Sequence, residues 1–81
     1  MKILKFYTDT CMPCRMVGKL LESMNLAVDS INALKSVDMV DEYNVCTTPT
    51  LIFLNDEDKE VARTTGPVTK GQIQKILDEN K

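Results

Sequence analysis

The sequence contains no histidine and no tryptophan. Without histidine there is no imidazole acid–base catalysis, no Cys–His nucleophilic pair and no imidazole metal ligand. A basic surplus is also lacking, since ten Lys and Arg against twelve Asp and Glu leave a formal charge of −2. That balance gives no electrostatic footprint for nucleic acid or for an anionic membrane surface. No apolar run approaches the length of a membrane span. No repeat, low-complexity tract, linker or dinucleotide-binding fingerprint occurs. The opening Met1-Lys2-Ile3-Leu4-Lys5-Phe6 is too short and too interrupted for a signal-peptide core, and no small-residue cleavage site follows. Three cysteines do not make the even, dense set of a secreted disulfide framework. The expected setting is a reducing cytoplasm.

What remains is ordinary for a soluble globular protein, with 43% apolar and 27% charged residues. A chain of 81 residues is expected to form one domain over 1–81, near the lower size limit for a single core. Lys2–Tyr7 reads as a strand, and Thr8-Asp9-Thr10 as a polar loop. Met16, Val17, Leu20, Leu21 and Met24 then fall on one face of a helix, with Arg15, Lys19, Glu22 and Ser23 toward water. Leu26–Ile31 reads as a second strand. A short helix over Ser36–Tyr43 follows, with Ser36 as N-cap, Val37, Val40 and Tyr43 as its apolar stripe, and Asn44 suited to the left-handed position after it. Thr50–Leu54 is a third strand, Asn55–Asp58 a turn, and Lys59–Thr65 a fourth strand. Thr69 with Gln72 forms a capping box for a last helix that buries Ile73, Ile76 and Leu77. The order is β-α-β-α-β-β-α, an α/β fold. Strands joined through a helix run parallel and those joined by a tight turn antiparallel, so one mixed four-stranded sheet with helices on both faces is expected.

Chemistry concentrates in Cys11-Met12-Pro13-Cys14. Two cysteines one helical turn apart can be bridged with little backbone movement. A helix N-terminus offers unpaired N–H groups and a partial positive charge, both favouring thiolate over thiol. Pro13 costs nothing there, because its missing N–H would be unpaired anyway. Cys11, at the helix start, is the candidate nucleophile. Cys14, one turn inside, is the candidate resolving thiol. The plain reading of Thr48-Pro49-Thr50 is loop punctuation before a strand, and that of Gly66-Pro67 is a turn.

Three segments together resemble the thioredoxin family. Phe6-Tyr7 with Cys11-Met12-Pro13-Cys14 is similar to its strand-to-active-site segment. Tyr43-Asn44-Val45-Cys46-Thr47-Thr48-Pro49-Thr50-Leu51 is similar to the segment carrying its cis-proline. Gly66 with Thr69-Lys70-Gly71-Gln72-Ile73 is similar to the start of its last helix. The resemblance covers nearly the whole chain and lacks the family's extra N-terminal strand and helix, leaving the minimal core shared with glutaredoxins. It implies strand order 2-1-3-4 and a cis Pro49 beside the cysteine pair. It further implies that the Thr48 backbone pairs with an extended substrate segment, that Gly66 edges the substrate groove, and that Met12 and Pro13 touch substrates.

Three positions depart from the family pattern. Thr10 stands where a tryptophan precedes the first cysteine, and Met12 stands where glycine is frequent. Lys5 stands where a buried acid handles the resolving cysteine's proton. A lysine cation would instead favour thiolates. Its plainer reading is that it snorkels to solvent or pairs with an acid such as Asp29 on the neighbouring strand. Cys46 is read as an incidental thiol, against a redox-sensitive thiol or a third metal ligand. Three cysteines without histidine fall short of a zinc site, so no metal is expected. The acids of 56–60 and of the short helix read as solvated surface.

The resemblance implies a thiol–disulfide oxidoreductase that reduces protein disulfides, with a role in electron transport and cell redox homeostasis. No bound cofactor is expected, because electrons would come from a thioredoxin-reductase-type flavoenzyme using NADPH. Ribonucleotide reductase is one client that the family suggests, and a monomer is expected. The alternative is glutaredoxin-like chemistry fed by glutathione. The short length favours it, but Gly66-Pro67-Val68-Thr69-Lys70 replaces the glutathione-gripping motif and Pro13 precedes the second cysteine rather than following the first. A non-catalytic binding module and a metal-binding protein are the remaining readings.

Overall fold

Thr50-Leu51-Ile52-Phe53-Leu54 shows no polar alternation, as expected of a strand covered on both faces, and all five residues are buried. In the computed structural model, which describes residues 1–80, this segment is one of two central strands. Lys81, the last residue of the expected 1–81 domain, lies outside the described residues. The elements are β1 (Lys2–Tyr7), α1 (Met12–Ser23), β2 (Asp29–Asn32), α2 (Val37–Glu42), β3 (Thr50–Leu54), β4 (Glu60–Thr65) and α3 (Lys70–Glu79). The sheet order is β2-β1-β3-β4. β1 runs parallel to β2 and antiparallel to β3, and β4 is antiparallel to β3. Among the described residues no helix is long and apolar enough to cross a membrane.

Alternation along the central strands divides the core in two. Ile3, Leu51 and Phe53 pack with Val17 and Leu21 of α1 and Ile73 of α3. Leu4, Phe6, Ile31, Ile52 and Leu54 pack on the other side with Met39, Val40 and Tyr43 around α2. There Phe6 and Tyr43 meet edge to face, with centroids 6.1 Å apart. The Thr69–Gln72 capping box forms with both reciprocal bonds, and Asn44 takes the left-handed conformation at φ 53°.

Some boundaries and faces differ from the sequence expectation. β2 starts at Asp29 rather than Leu26. Asn25 reverses the chain at φ 56°, and the Leu26 amide donates to the Leu21 carbonyl to close α1. Leu26 and Val28 therefore reach the core from a loop rather than a ladder. Met16 is 71% exposed and lies outside the buried stripe of α1, which is Cys14, Val17 and Leu21. Val37 is 58% exposed, and Met39 takes its place in the α2 packing. Ser36 occupies the N-cap position of α2 without a side-chain cap bond. Lys59 belongs to the turn, because its amide donates to Asn55 Oδ1 and its carbonyl accepts from the Asn55 amide.

The largest tie that the sequence does not announce is made by Arg63. Its guanidinium takes both carboxylate oxygens of Glu60 at 2.7 and 2.6 Å and donates to the Tyr43 carbonyl at 2.7 Å. Residues three apart on a regular strand point to opposite faces. Here Phe53 pairs with Ala62 but Leu54 pairs with Glu60, so Val61 is an extra residue. This bulge shifts the phase and puts Glu60 and Arg63 on one face. The hydrogen bonds from Arg63 hold the Glu60 carboxyl below the usual glutamate range against a smaller opposing effect of burial.

Two measurements test this packing. Phe53 is fully buried, so Phe53→Ala should cost about 3–5 kcal/mol. That is a large part of the roughly 5–15 kcal/mol typical of a domain, and the urea midpoint should fall accordingly. Because the Glu60 carboxyl is depressed in the fold, its stabilisation is present above the usual glutamate pKa and lost as pH falls through the folded value. Glu60→Gln should thus cost up to about 1 kcal/mol at neutral pH, and the gap between the two urea curves should close below the carboxylate range. A pH-independent gap would mean that the pair acts only through packing.

Candidate active site

Cys11 caps α1. Its backbone is extended at φ −90° and ψ 105°, and its Sγ accepts the Cys14 amide at 3.1 Å. No acidic side chain occupies the first turn of this helix, so nothing there offsets the positive end of the dipole. Cys11 and Cys14 are joined by a disulfide with Cα atoms 5.2 Å apart, inside the normal bridging range. The two sulfurs are unequal. Cys11 is partly exposed, whereas Cys14 is only 3% exposed and belongs to the buried face of α1. Met12, at 63% exposure, and Pro13 flank Cys11 on the surface. Arg15 closes the preceding loop by donating to the Asp9 carbonyl at 3.4 Å.

The sheet register gathers the other candidate residues. Phe6 pairs with Thr50, and Thr50 pairs with Thr65. The loop leaving β1, the loop entering β3 and the loop leaving β4 therefore emerge at one end of the sheet. They carry Cys11, with Met12 and Pro13 following it in the first turn of α1, then Thr48 and Pro49, then Gly66. The Thr48–Pro49 peptide is cis and Pro49 is buried. The Pro49 carbonyl accepts the Gly66 amide at 2.8 Å, and Thr50 Oγ1 donates to the Thr47 carbonyl at 2.6 Å. Gly66 sits at φ +74°, and a Cβ there would meet no atom within 4 Å. Within the free protein its requirement is conformational rather than steric. The Arg63 bond to Tyr43 anchors the chain just before this loop.

Lys5 does not pair with Asp29. Asp29 aligns with Leu4 and shares its side of the sheet with Lys2, whose ammonium lies 3.9 Å from the carboxylate. Lys5 points to the opposite side, toward α1. Its Nζ is 5.5 Å from the Tyr7 ring centroid, and a Cβ added to Gly18 would lie 3.0 Å from it. Lys5 and Cys14 line one open cleft of about 300 Å³, together with Tyr7, Thr8, Asp9 and Arg15.

Two features escape sequence reasoning. An apolar groove of about 320 Å³ runs between Pro13, Met16 and Leu20 on α1 and Pro67 and Val68 after β4, which accounts for the outward Met16. The Gly66–Pro49 tie joins segments with no sequence signal for contact. Cys46 is an exposed free thiol whose Sγ donates to the Asn44 carbonyl at 3.8 Å. Among the described residues no three His, Cys, Asp or Glu side chains gather as a metal site.

Known proteins with this arrangement point one way. The family model for thioredoxin matches residues 1–79. A prophage-derived thioredoxin-like protein of Bacillus subtilis is 29% identical over 79 residues, covering 98% of both chains. The thioredoxin of Chlamydia trachomatis is 29% identical over 85 residues, covering 98% of this chain and 81% of its own. A solved thioredoxin from Halobacterium salinarum superimposes with a TM-score of 0.86 at 23% identity, over 96% of this chain and 72% of that one. With a disulfide-bonded cysteine pair at the head of a helix on this sheet, the chain belongs to the thioredoxin family and is a thiol–disulfide oxidoreductase.

Proposed function

We propose that this protein reduces disulfides in other proteins by two successive exchanges at its cysteine pair. The reading rests on the asymmetry of the pair, with a partly exposed Cys11 at the helix N-cap and a buried Cys14 one turn inside. The Cys11 thiolate attacks a substrate sulfur, forming a mixed disulfide and releasing the other substrate thiolate. Cys14 then attacks Cys11, the second substrate thiolate leaves, and the Cys11–Cys14 disulfide remains. Supporting this order, the Cys11 sulfur holds the Cys14 amide, so the helix end favours Cys11 as thiolate and as leaving group.

Thr48, Pro49, Gly66, Met12 and Pro13 form the substrate-binding rim in this reading. An extended segment of the client lies beside the Thr48 backbone as an added strand, and the bare Gly66 backbone leaves it room. Electrons come from an NADPH-dependent flavoenzyme of the thioredoxin-reductase type, and this chain carries no cofactor of its own. Disulfide-forming enzymes such as ribonucleotide reductase are suitable clients, and the protein works as a cytoplasmic monomer.

Cys14→Ser should hold substrates as mixed disulfides through Cys11, separable on non-reducing gels and released by dithiothreitol. Cys11→Ser should hold none and should reduce insulin only at the background rate. Insulin reduction by the intact protein should follow NADPH with thioredoxin reductase. Turnover driven instead by glutathione with glutathione reductase would overturn the donor assignment.

Gly66→Ala separates the two uses of that residue. The backbone conformation alone should cost about 1–2 kcal/mol. If Gly66 borders the groove, KM for insulin should also rise at temperatures where the variant is fully folded. An unchanged KM would restrict Gly66 to folding.

A further inference from the structure

We propose that Lys5 sets the reactivity of the resolving sulfur: its ammonium, lodged against Gly18 beneath Cys14, stabilises the Cys14 thiolate that attacks Cys11. This deepens the dithiol reading above and rests on it.

Lys5 sits, half-buried, in the stripe Ile3–Lys5–Tyr7 that faces α1. Its Nζ reaches the helix at Gly18, where any Cβ would lie 3.0 Å away. A glycine inside a helix is less favourable than alanine, so room for the ammonium is kept at some expense. Gly18 follows Cys14 by four residues, one turn along the same face of α1, a rise of roughly 5–6 Å. Finally, Cys14 and Lys5 line a common cleft.

The charged surroundings leave Lys5 available for this task. From β2, Asp29 is engaged by Lys2 and Ser30 is neutral. From β3, Leu51 pairs with Lys5 and is apolar. On β1 the Tyr7 ring lies beneath the ammonium. Asp9 lines the cleft on one side of Lys5 and Glu22 the cleft on the other, and neither forms an ion pair with it. Arg15 lines the first cleft too, and its exposed guanidinium, which donates to the Asp9 carbonyl, keeps its charge with or without Lys5. A buried thiol resists ionisation, and the Cys14 amide is already spent on Cys11 Sγ. A cation one turn away offsets that burial.

In the step concerned, the Cys14 thiolate forms the Cys11–Cys14 bond. The bond from Cys11 to the substrate sulfur breaks, and that sulfur leaves with the electron pair and takes its proton from solvent. Lys5 neither donates nor accepts a proton in this step. It is a positioning residue that acts through Cys14.

The test uses the full chain with Cys46→Ser to remove the free thiol. Reduced protein mixed with 5,5′-dithiobis(2-nitrobenzoate) releases one nitrothiobenzoate when Cys11 attacks and a second when Cys14 resolves. Stopped-flow absorbance follows the second release across pH. Loss of a nearby cation should lower the Cys14 thiolate fraction about tenfold at acid pH. Greater intrinsic nucleophilicity returns about threefold of that. Lys5→Met should therefore resolve about threefold more slowly at acid pH and about threefold faster at alkaline pH, so that the two profiles cross. Lys5→Arg should keep the original profile, and Gly18→Ala, which pushes the ammonium away, should shift toward Lys5→Met. Thiolate absorbance in a Cys11→Ser/Cys46→Ser background should show the same displacement of the Cys14 midpoint. Parallel profiles with an unmoved midpoint would overturn the role of Lys5 and leave the dithiol mechanism standing. Absence of a second release from the unsubstituted Lys5 protein would overturn the dithiol mechanism itself, and this inference with it.

Discussion

The antiparallel pairing of β1 with β3 is the constraint on which the rest depends. It places the end of β1 against the start of β3, with Phe6 opposite Thr50. That single register brings the loop bearing the cysteines to the loop bearing Pro49, although they are nearly forty residues apart in the chain. Pairing of β3 with β4 extends the same end of the sheet to Gly66. A slip of one residue would turn every core side chain of the strand to the wrong face. On β1 such a slip would turn Lys5 into the core that Leu4 and Phe6 fill, which opposes it. The hydrophobic core thus sets the geometry of the polar site.

On that frame, the first turn of α1 makes two identical residues chemically different. The N-cap position gives Cys11 access to solvent and the company of a backbone amide. One turn later the same helix turns Cys14 inward toward the sheet. The difference follows from helical periodicity, since residues three apart lie on neighbouring parts of one face at different depths. Lys5 reaches that helix from β1 and meets it where Gly18 leaves space. The strand face and the helix face are therefore fitted to each other around a charge.

Much of this was legible in the residues. The apolar runs of Lys2–Tyr7 and Thr50–Leu54, the Thr69–Gln72 box and the Asn44 reversal each have a local physical cause, and each appears where its pattern places it. The cysteine pair was legible for the same reason: its spacing and its helix are local. Elsewhere tertiary contacts override periodicity. Met16 fits a helical stripe but faces a groove formed with Pro67 and Val68. Leu26 and Val28 alternate as a strand would, but serve the core from a loop because α1 ends by reversing at Asn25. Glu60 reads as part of a solvated hairpin tip, and only the bulge at Val61 brings it to Arg63.

By itself the sequence determined the element order, the apolar faces and the identity of the reactive pair, because helix and strand periods, caps and CxxC spacing act over a few residues. It carried the family resemblance at three separated segments, and the family model and relatives bear that out. Tertiary structure alone decided which lysine meets Asp29. Lys2 rather than Lys5 holds Asp29, because strand register assigns Asp29 to the face that Lys2 shares. It likewise decided the Pro49–Gly66 bond, the Arg63 tie to Tyr43 and the placement of Lys5 against Gly18. These contacts join residues distant in the chain, and their distances are set by how the sheet and helices pack rather than by any local preference.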